Sequence, residues 1–283
     1  MKISKNAENF TLFKRKEEIP RGCIAFFDSG IGGLSVLYEC VLRGLSGPVA
    51  YFGDNKNAPY GERSIEEILL LFNSAFEFLA SYSPRCVVVA CNTVSAVLEN
   101  RQVEYSIPII KTYPPVEQVE EEGEVYLFAT TQTIKLTRER VRARARAYPL
   151  SNLASQIEQN PFSLSKISLA EILPKGNPSA VVLGCTHYSF LKEGFMRYYG
   201  VPVYDSSVYT AMRVMEHCRL FSTTDIEESE RAEARLGENE KKGELFPCLR
   251  IKRGIQETTI FFVGSGKNTC LWLCEQMFAH KYG

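Results

Sequence analysis

Residues 87–93 read Val-Val-Val-Ala-Cys-Asn-Thr, and residues 180–187 read Ala-Val-Val-Leu-Gly-Cys-Thr-His. In both stretches a short apolar run ends in a cysteine and is followed by a pattern typical of a helix. A buried strand that runs directly into a helix places its last residue at the carboxyl edge of a parallel sheet, where open α/β folds bind ligands. We therefore expect two similar units, which present Cys91 and Cys185 at equivalent edges.

Apolar strand patterns alternate with helix patterns on both sides of these stretches, beginning at residues 23–27 and restarting after residues 113–115, Tyr-Pro-Pro. Such alternation predicts parallel sheets with right-handed crossovers. Paired prolines end the preceding element and stiffen the link that follows. The expected fold class is α/β, with two similar domains. Each would be a mainly parallel sheet flanked by helices, with the active site in the cleft between the domains.

The same patterns suggest where the domains begin and end. Residues 1–21 are polar and are expected to form a short, poorly ordered extension. A discontinuous first domain would comprise residues 22–112 and 210–283, and the second domain residues 113–209. Within the first domain, residues 223–243 are rich in charge and poor in apolar side chains, which is typical of a solvated loop.

Composition excludes several classes of function. The 283 residues carry 33 Lys and Arg against 33 Asp and Glu, and 45% of them are hydrophobic. A net charge near zero argues against binding to nucleic acid or to a membrane surface, because both need a basic field. The apolar runs are too short to span a bilayer, and the polar beginning lacks the apolar core of a signal peptide. We expect a cytoplasmic protein.

The nine cysteines are an odd number and show no Cys-x-x-Cys pair. This usage favours a reducing compartment in which most thiols are buried and inert. Only three histidines are present, and none has the spacing of a zinc ligand beside cysteines. We therefore expect neither a metal nor an organic cofactor.

Two kinds of chemistry fit the paired thiols. His187 follows Cys185 by two residues, and a helix N-terminus lowers the pKa of a thiol, so a Cys–His hydrolase or transferase is one hypothesis. It leaves Cys91 without a role. In the other hypothesis, one thiolate removes a proton from a substrate carbon and the second thiol supplies a proton to the opposite face. Asp28 and His187 would exchange protons with the thiols.

The second hypothesis agrees with a family resemblance. In order and spacing, five motifs between roughly residues 22 and 210 resemble those of the glutamate racemase family, within the aspartate/glutamate racemase superfamily. The motifs are Phe-Asp-Ser-Gly-Ile-Gly-Gly-Leu (27–34), Tyr-Phe-Gly-Asp (51–54), Pro-Tyr-Gly (59–61), Ala-Cys-Asn-Thr (90–93) and Gly-Cys-Thr-His-Tyr (184–188).

The resemblance implies cofactor-independent conversion of L-glutamate to D-glutamate for peptidoglycan synthesis, with Cys91 and Cys185 as the acid and base. It also makes a homodimer a candidate assembly. By motif match, the substrate site would be lined by Asp28, Ser29, Pro59, Tyr60, Gly61, Asn92, Thr93, Thr186 and His187. Thr130 and Thr186 are candidates to hold the distal carboxylate of glutamate.

Departures from the family pattern cluster at the rim of the second domain. The domain crossing reads Lys-Thr-Tyr-Pro-Pro at residues 111–115, and further departures fall in residues 129–140 and 147–158. Glu158 matches the family's acidic residue only if a gap is introduced. The other functions considered are a racemase of another acidic amino acid such as aspartate, a related isomerase, and a catalytically silent binding protein with the same cleft.

Overall fold

The structure is a computed structural model that describes residues 2–5, 10–141, 143–221, 244–253 and 255–279. The predicted charged loop at residues 223–243 lies outside the described residues. None of the helices within these ranges is long and apolar enough to cross a membrane.

The larger of two sheets has eight strands among the described residues. They are β1 (Lys2–Lys5), β2 (Phe10–Glu17), β3 (Ile24–Asp28), β4 (Gly47–Gly53), β5 (Cys86–Val89), β6 (Ile109–Lys111), β11 (Phe246–Arg253) and β12 (Gln256–Val263). Their order across the sheet is β1-β2-β11-β12-β4-β3-β5-β6. From β12 to β6 neighbouring strands are parallel, whereas β1, β2, β11 and β12 pair in antiparallel fashion.

Helices cover both faces of this sheet, and together they form the first unit. They are α1 (Leu34–Leu42), α2 (Ile65–Ala80), α3 (Asn92–Arg101), α8 (Ser206–Phe221) and α9 (Lys267–Ala279). Helix α2 begins with a capping box, in which the Ser64 hydroxyl accepts from the Glu67 N–H at 3.2 Å and the Glu67 carboxylate accepts from the Ser64 N–H at 3.0 Å. The continuous apolar run of β3 is buried along its whole length, as expected of a strand covered on both sides.

The second unit contains a smaller, parallel sheet. Its strands are β7 (Val125–Ala129), β8 (Arg146–Pro149), β9 (Ala180–Gly184) and β10 (Val203–Asp205), in the order β10-β9-β7-β8. Its helices are α4 (Thr131–Val141), α5 (Ser151–Gln159), α6 (Leu169–Ile172) and α7 (Lys192–Tyr199), with a 3-10 helix at Thr186–Leu191. The predicted fold class, α/β with mainly parallel sheets flanked by helices, is confirmed.

Two parts of the chain differ from the sequence-based expectation. Residues 10–17 are not a poorly ordered extension, because they form β2, which pairs with β11 from Phe10 opposite Arg253 to Glu17 opposite Phe246. Strand β11 was itself not predicted. Without β2, the outer edge of β11 would expose unpaired backbone N–H and C=O groups, with which another chain could pair. Strand β2 covers this edge.

Helix α4 is also shorter than its sequence pattern indicated. The sequence of residues 131–146 by itself predicts one basic helix, whereas α4 ends at Val141 and Arg146 begins β8. Strand β8 lies at an edge of the smaller sheet, and Arg146 is its only arginine.

Candidate active site

Both thiols lie where a buried strand ends. Cys91 follows β5 and is the N-cap of α3, and Cys185 follows β9 and is the N-cap of the 3-10 helix. Both are almost fully buried, at 5% and 6% exposure, and both line one small cavity between the two sheets. The cavity is lined by Ser29, Pro59, Tyr60, Gly61, Cys91, Asn92, Thr93, Thr130, Ala154, Cys185, Thr186 and His187.

The structure thus brings together the residues that the sequence placed at the site. Ala154 is the one lining residue that was not among them, and Asp28 lies just behind the lining, where it contacts Thr186. Most of these positions come from loops at the carboxyl ends of strands, as the fold predicts.

The glycines of the 27–34 motif allow the two units to approach each other. A Cβ atom at Gly32 would lie 2.5 Å from the Thr186 hydroxyl oxygen and 2.7 Å from His187 Nδ1, and one at Gly30 would collide with the Glu158 carboxylate. From sequence alone, glycines between a strand and a helix are typical of an anion cradle or a tight turn. The structure shows instead that they make room for side chains of the second unit.

The surroundings of Cys185 include a histidine and a carboxylate. Its Sγ lies 3.8 Å from His187 Nδ1, and His187 Nε2 lies 2.6 Å from Glu158 Oε2. Burial alone lowers the pKa of His187, but its contacts with Cys185 and Glu158 outweigh burial and raise that pKa well above its usual value. The imidazolium form is therefore favoured, and it places a positive charge beside the Cys185 thiol.

Glu158 was matched from sequence only with a gap, yet it occupies the centre of this side of the site. Its carboxylate accepts hydrogen bonds from the Ile31 N–H at 3.1 Å, from the Asn55 side-chain amide and from His187. A signal was present in the sequence, since Glu158 stands four residues after the buried Ala154 and on the same face of α5. A carboxylate on the buried face of an amphipathic helix needs partners, and here it finds them in both units.

The surroundings of Cys91 are different. Its Sγ donates to the Ser29 hydroxyl at 3.6 Å, and burial, reinforced by the negative charge of Asp28, raises the pKa of the Cys91 thiol to about 12. A helix N-terminus by itself lowers the pKa of a thiol, but at Cys91 desolvation dominates. Cys91 is a protonated thiol at neutral pH.

Asp28 is fully buried at the end of β3. Its carboxylate accepts from the Gly30 N–H at 3.0 Å and from the Thr186 hydroxyl at 3.3 Å. Burial raises the pKa of Asp28 to about 6, while the neighbouring His187 opposes this rise. Above that pH, Asp28 provides a buried negative charge beside the cavity.

Hydroxyl and amide groups line the remaining wall. The hydroxyls of Thr93, Thr130 and Thr133 lie 2.9 to 3.2 Å from one another, and Thr133 was not among the predicted residues. The Asn92 side-chain oxygen Oδ1 accepts from the Ser206 hydroxyl at 3.2 Å, but its buried Nδ2 has no hydrogen-bond partner among the described residues. An unpaired buried donor is costly unless a ligand pairs with it, so Nδ2 indicates where an acceptor would bind.

The loop that carries Pro59, Tyr60 and Gly61 closes the cavity from the first unit. The Tyr60 hydroxyl donates to Asp54 at 2.6 Å, and the Gly61 carbonyl accepts from the Gln132 N–H of α4 at 3.2 Å. The arrangement can hold an anionic small molecule by neutral donors and can transfer protons from two thiols. Among the described residues no cluster of His, Cys, Asp and Glu is arranged to hold a metal ion.

Comparison with known proteins places this geometry in a family. No family model matches the chain. A glutamate racemase from Clostridium novyi is 35% identical over 219 residues, which cover 70% of this chain and 83% of that protein.

Two solved structures are similar in fold. The glutamate racemase of Francisella tularensis in complex with D-glutamate is 25% identical with a TM-score of 0.59, over 72% of this chain and 84% of that one. The Escherichia coli glutamate racemase in complex with L-glutamate and the activator UDP-MurNAc-Ala is 28% identical with a TM-score of 0.59, over 69% of this chain and 82% of that one. This chain therefore belongs to the glutamate racemase family.

Proposed function

We propose that this chain interconverts L-glutamate and D-glutamate by proton transfer at the α-carbon, with Cys91 and Cys185 as the two acid–base groups. One observation carries the proposal: two buried thiols from the two units line a single cavity, with the His187 imidazole beside Cys185 and the Ser29 hydroxyl beside Cys91. The relatives described above bind D-glutamate and L-glutamate according to their descriptions, which supports the same substrate here. The D-glutamate formed would supply peptidoglycan synthesis.

In one direction of the reaction, the Cys185 thiolate beside the His187 imidazolium removes the α-proton of the substrate, so a C–H bond breaks and an S–H bond forms. The Cys91 thiol then gives its proton to the opposite face of the α-carbon and becomes a thiolate. Conversion of the other enantiomer runs these steps in reverse. The charges balance because each turnover moves one proton onto one sulfur and one proton off the other.

Asp28 and His187 supply the electrostatic conditions for this exchange. His187 stabilises Cys185 as a thiolate, and Glu158 holds the imidazole by its far nitrogen. The buried Asp28 carboxylate offers a counter-charge to the α-ammonium group of an amino acid. A bound ammonium would in turn lower the pKa of Cys91, since an opposite charge nearby favours the thiolate.

The carboxylates of glutamate would be held without a cationic side chain. Asn92 Nδ2 and the hydroxyls of Ser29, Thr93, Thr130 and Thr186 all reach the cavity. We assign Thr130 and Thr186 to the distal carboxylate. A homodimer and a cytoplasmic location remain predictions.

The direct test is incubation of purified protein with L-glutamate in heavy water, with no metal or organic cofactor added, followed by chiral chromatography and mass spectrometry. We expect D-glutamate that carries one solvent deuterium at the α-carbon, because the donor thiol exchanges with solvent. Absence of conversion would contradict the proposal. A stable covalent acyl-thiol on Cys185 would instead favour the Cys–His hydrolase.

A further inference from the structure

Asn55 is not a lining residue of the cavity, yet it contacts the carboxylate that holds the catalytic histidine. Its Nδ2 donates to Glu158 Oε1, while Glu158 Oε2 faces His187 Nε2 at 2.6 Å. The opposite nitrogen of His187 lies 3.8 Å from Cys185 Sγ. One continuous chain of polar contacts therefore leads from Asn55 to the thiol.

The orientation of the Asn55 amide follows from its two neighbours. A carboxylate only accepts hydrogen bonds, so the side of the amide that faces Glu158 must be Nδ2. On the other side, Oδ1 accepts from Cys270 Sγ at 3.6 Å. Burial raises the pKa of Cys270 well above its usual value, so this sulfur remains a thiol and a donor. Both contacts select the same orientation.

Backbone packing holds the amide in this place. A Cβ atom at Gly266 would collide with the Asn55 side chain, and one at Gly53 would lie 2.9 Å from Asn55 Oδ1. The same loop is fixed by Ser265, whose hydroxyl accepts from the Lys56 N–H at 2.9 Å. The segment between β12 and α9 thus supports Asn55, although it lies far along the chain from the site.

We propose that Asn55 is a positioning residue that fixes the Glu158 carboxylate, and through it the His187 imidazolium, beside Cys185. The proposal rests on the function proposed above. Without the Asn55 donor, one oxygen of a buried carboxylate loses its partner, so Glu158 is fixed less firmly against His187 Nε2. The imidazolium is then held less firmly beside Cys185 Sγ. Cys91 is bonded to Ser29 instead and lies outside this chain of contacts.

The test uses two variants of the full-length protein. Asn55→Leu keeps the approximate shape and removes the donor. We expect kcat to fall about 10- to 100-fold, the range for losing a hydrogen bond to a charged group, with little change in KM. Asn55→Asp supplies a donor only while the introduced carboxyl group holds a proton, which the nearby Glu158 charge favours at low pH. Its kcat relative to wild type should therefore be highest at the acidic end of the range and decline as the pH rises.

A second readout does not depend on racemase activity. The rate of alkylation by iodoacetamide is measured for Cys185 and Cys91 by peptide mass spectrometry over a range of pH. In Asn55→Leu the alkylation midpoint of Cys185 should move to higher pH, while that of Cys91 stays where it is in wild type. The matched control is Asn160→Leu, because Asn160 is an exposed amide near Glu158 on the chain that bonds the Gln156 carbonyl instead.

The outcomes separate this proposal from the proposed function. A folded Asn55→Leu protein with an unchanged Cys185 profile overturns the positioning role. If Asn55→Leu does not fold, a ratio of Asn55→Asp to wild-type kcat that is independent of pH overturns it as well. If wild type does not racemise glutamate but the Cys185 midpoint still moves, the positioning role stands and the proposed function fails.

Discussion

Replacing Asp28 with asparagine should make the protein more stable and less active at the same time. Asp28 is fully buried, and its carboxylate accepts from the Gly30 N–H and the Thr186 hydroxyl. An asparagine can keep both contacts if its Oδ1 faces Gly30 and its Nδ2 donates to the Thr186 oxygen. The substitution therefore removes a buried charge and leaves the packing in place.

The magnitude follows from the pKa. Burial raises the pKa of Asp28 from the ordinary value of 3.8 to about 6. At about 1.4 kcal/mol per pKa unit, a difference of about two corresponds to about 3 kcal/mol. The folded state binds this proton more tightly than the unfolded state, so the stability is fully present below about pH 4 and is lost as the pH rises through about 6. Wild type carries this cost at neutral pH, whereas Asp28→Asn does not.

Calorimetric unfolding of both proteins at several pH values tests the prediction. At pH 8 the variant should unfold at a temperature several degrees higher, at roughly 2–4 °C per kcal/mol for a chain of this size. At pH 5 the difference in the free energy of unfolding should fall to about half. Racemisation should be lost at both pH values, because the ammonium group loses its counter-charge.

Two results would refute this reasoning. If Asp28→Asn is no more stable than wild type at pH 8, the buried carboxylate does not cost what its pKa implies. If the gain in stability is the same at pH 5 and pH 8, the gain comes from packing and not from ionisation.

Three further predictions concern the thiols, the substrate and the contact between the two units. Cys91→Ser and Cys185→Ser should each lose racemisation in both directions, since a serine hydroxyl is too weak an acid to form the base. Near-normal inversion by Cys91→Ser would instead favour a single Cys185–His187 site. Turnover of aspartate should be lower than that of glutamate by roughly 10–200-fold, the effect of one missing methylene. Equal turnover of both substrates in a coupled assay would exclude glutamate specificity. Phe162→Ala should lower the free energy of unfolding by about 1 kcal/mol, because the Phe162 ring packs edge-on against the Trp272 ring with centroids 4.4 Å apart. Trp272 is the only tryptophan in the chain, so the fluorescence of the variant should shift to the red. An unchanged emission would show that the contact is not formed in solution.

The positions of the two thiols could be predicted from sequence because buried parallel strands have continuous apolar runs. β5 and β9 read as such runs; β5 ends at Val89, shortly before Cys91, and β9 ends at Gly184, directly before Cys185. Strands β2 and β11 were missed for the converse reason, since they carry many charged residues in an antiparallel part of the sheet. The pairing of β2 with β11, which are far apart in the chain, cannot be predicted from the sequence of either strand alone.

The partners of the site residues were less predictable than the residues themselves. The contact of Glu158 with His187 depends on how α5 packs against the loops of the first unit, and no local sequence pattern determines that packing. The same holds for Asn55, whose sequence neighbours indicate a loop and nothing more. The sequence motifs identify the residues that are proposed to react, whereas tertiary packing determines which other side chains orient them.

The two halves of the site look alike in sequence but are electrostatically different, and this difference has a chemical consequence. If both thiols were surrounded as Cys91 is, burial would keep both protonated at neutral pH and no base would be present. Cys185 differs in that His187, whose imidazolium form is favoured, lies 3.8 Å from its sulfur. In the proposed mechanism, this histidine, two residues after Cys185 where the first unit has a threonine two residues after Cys91, supplies the positive charge beside the sulfur that acts first as the base.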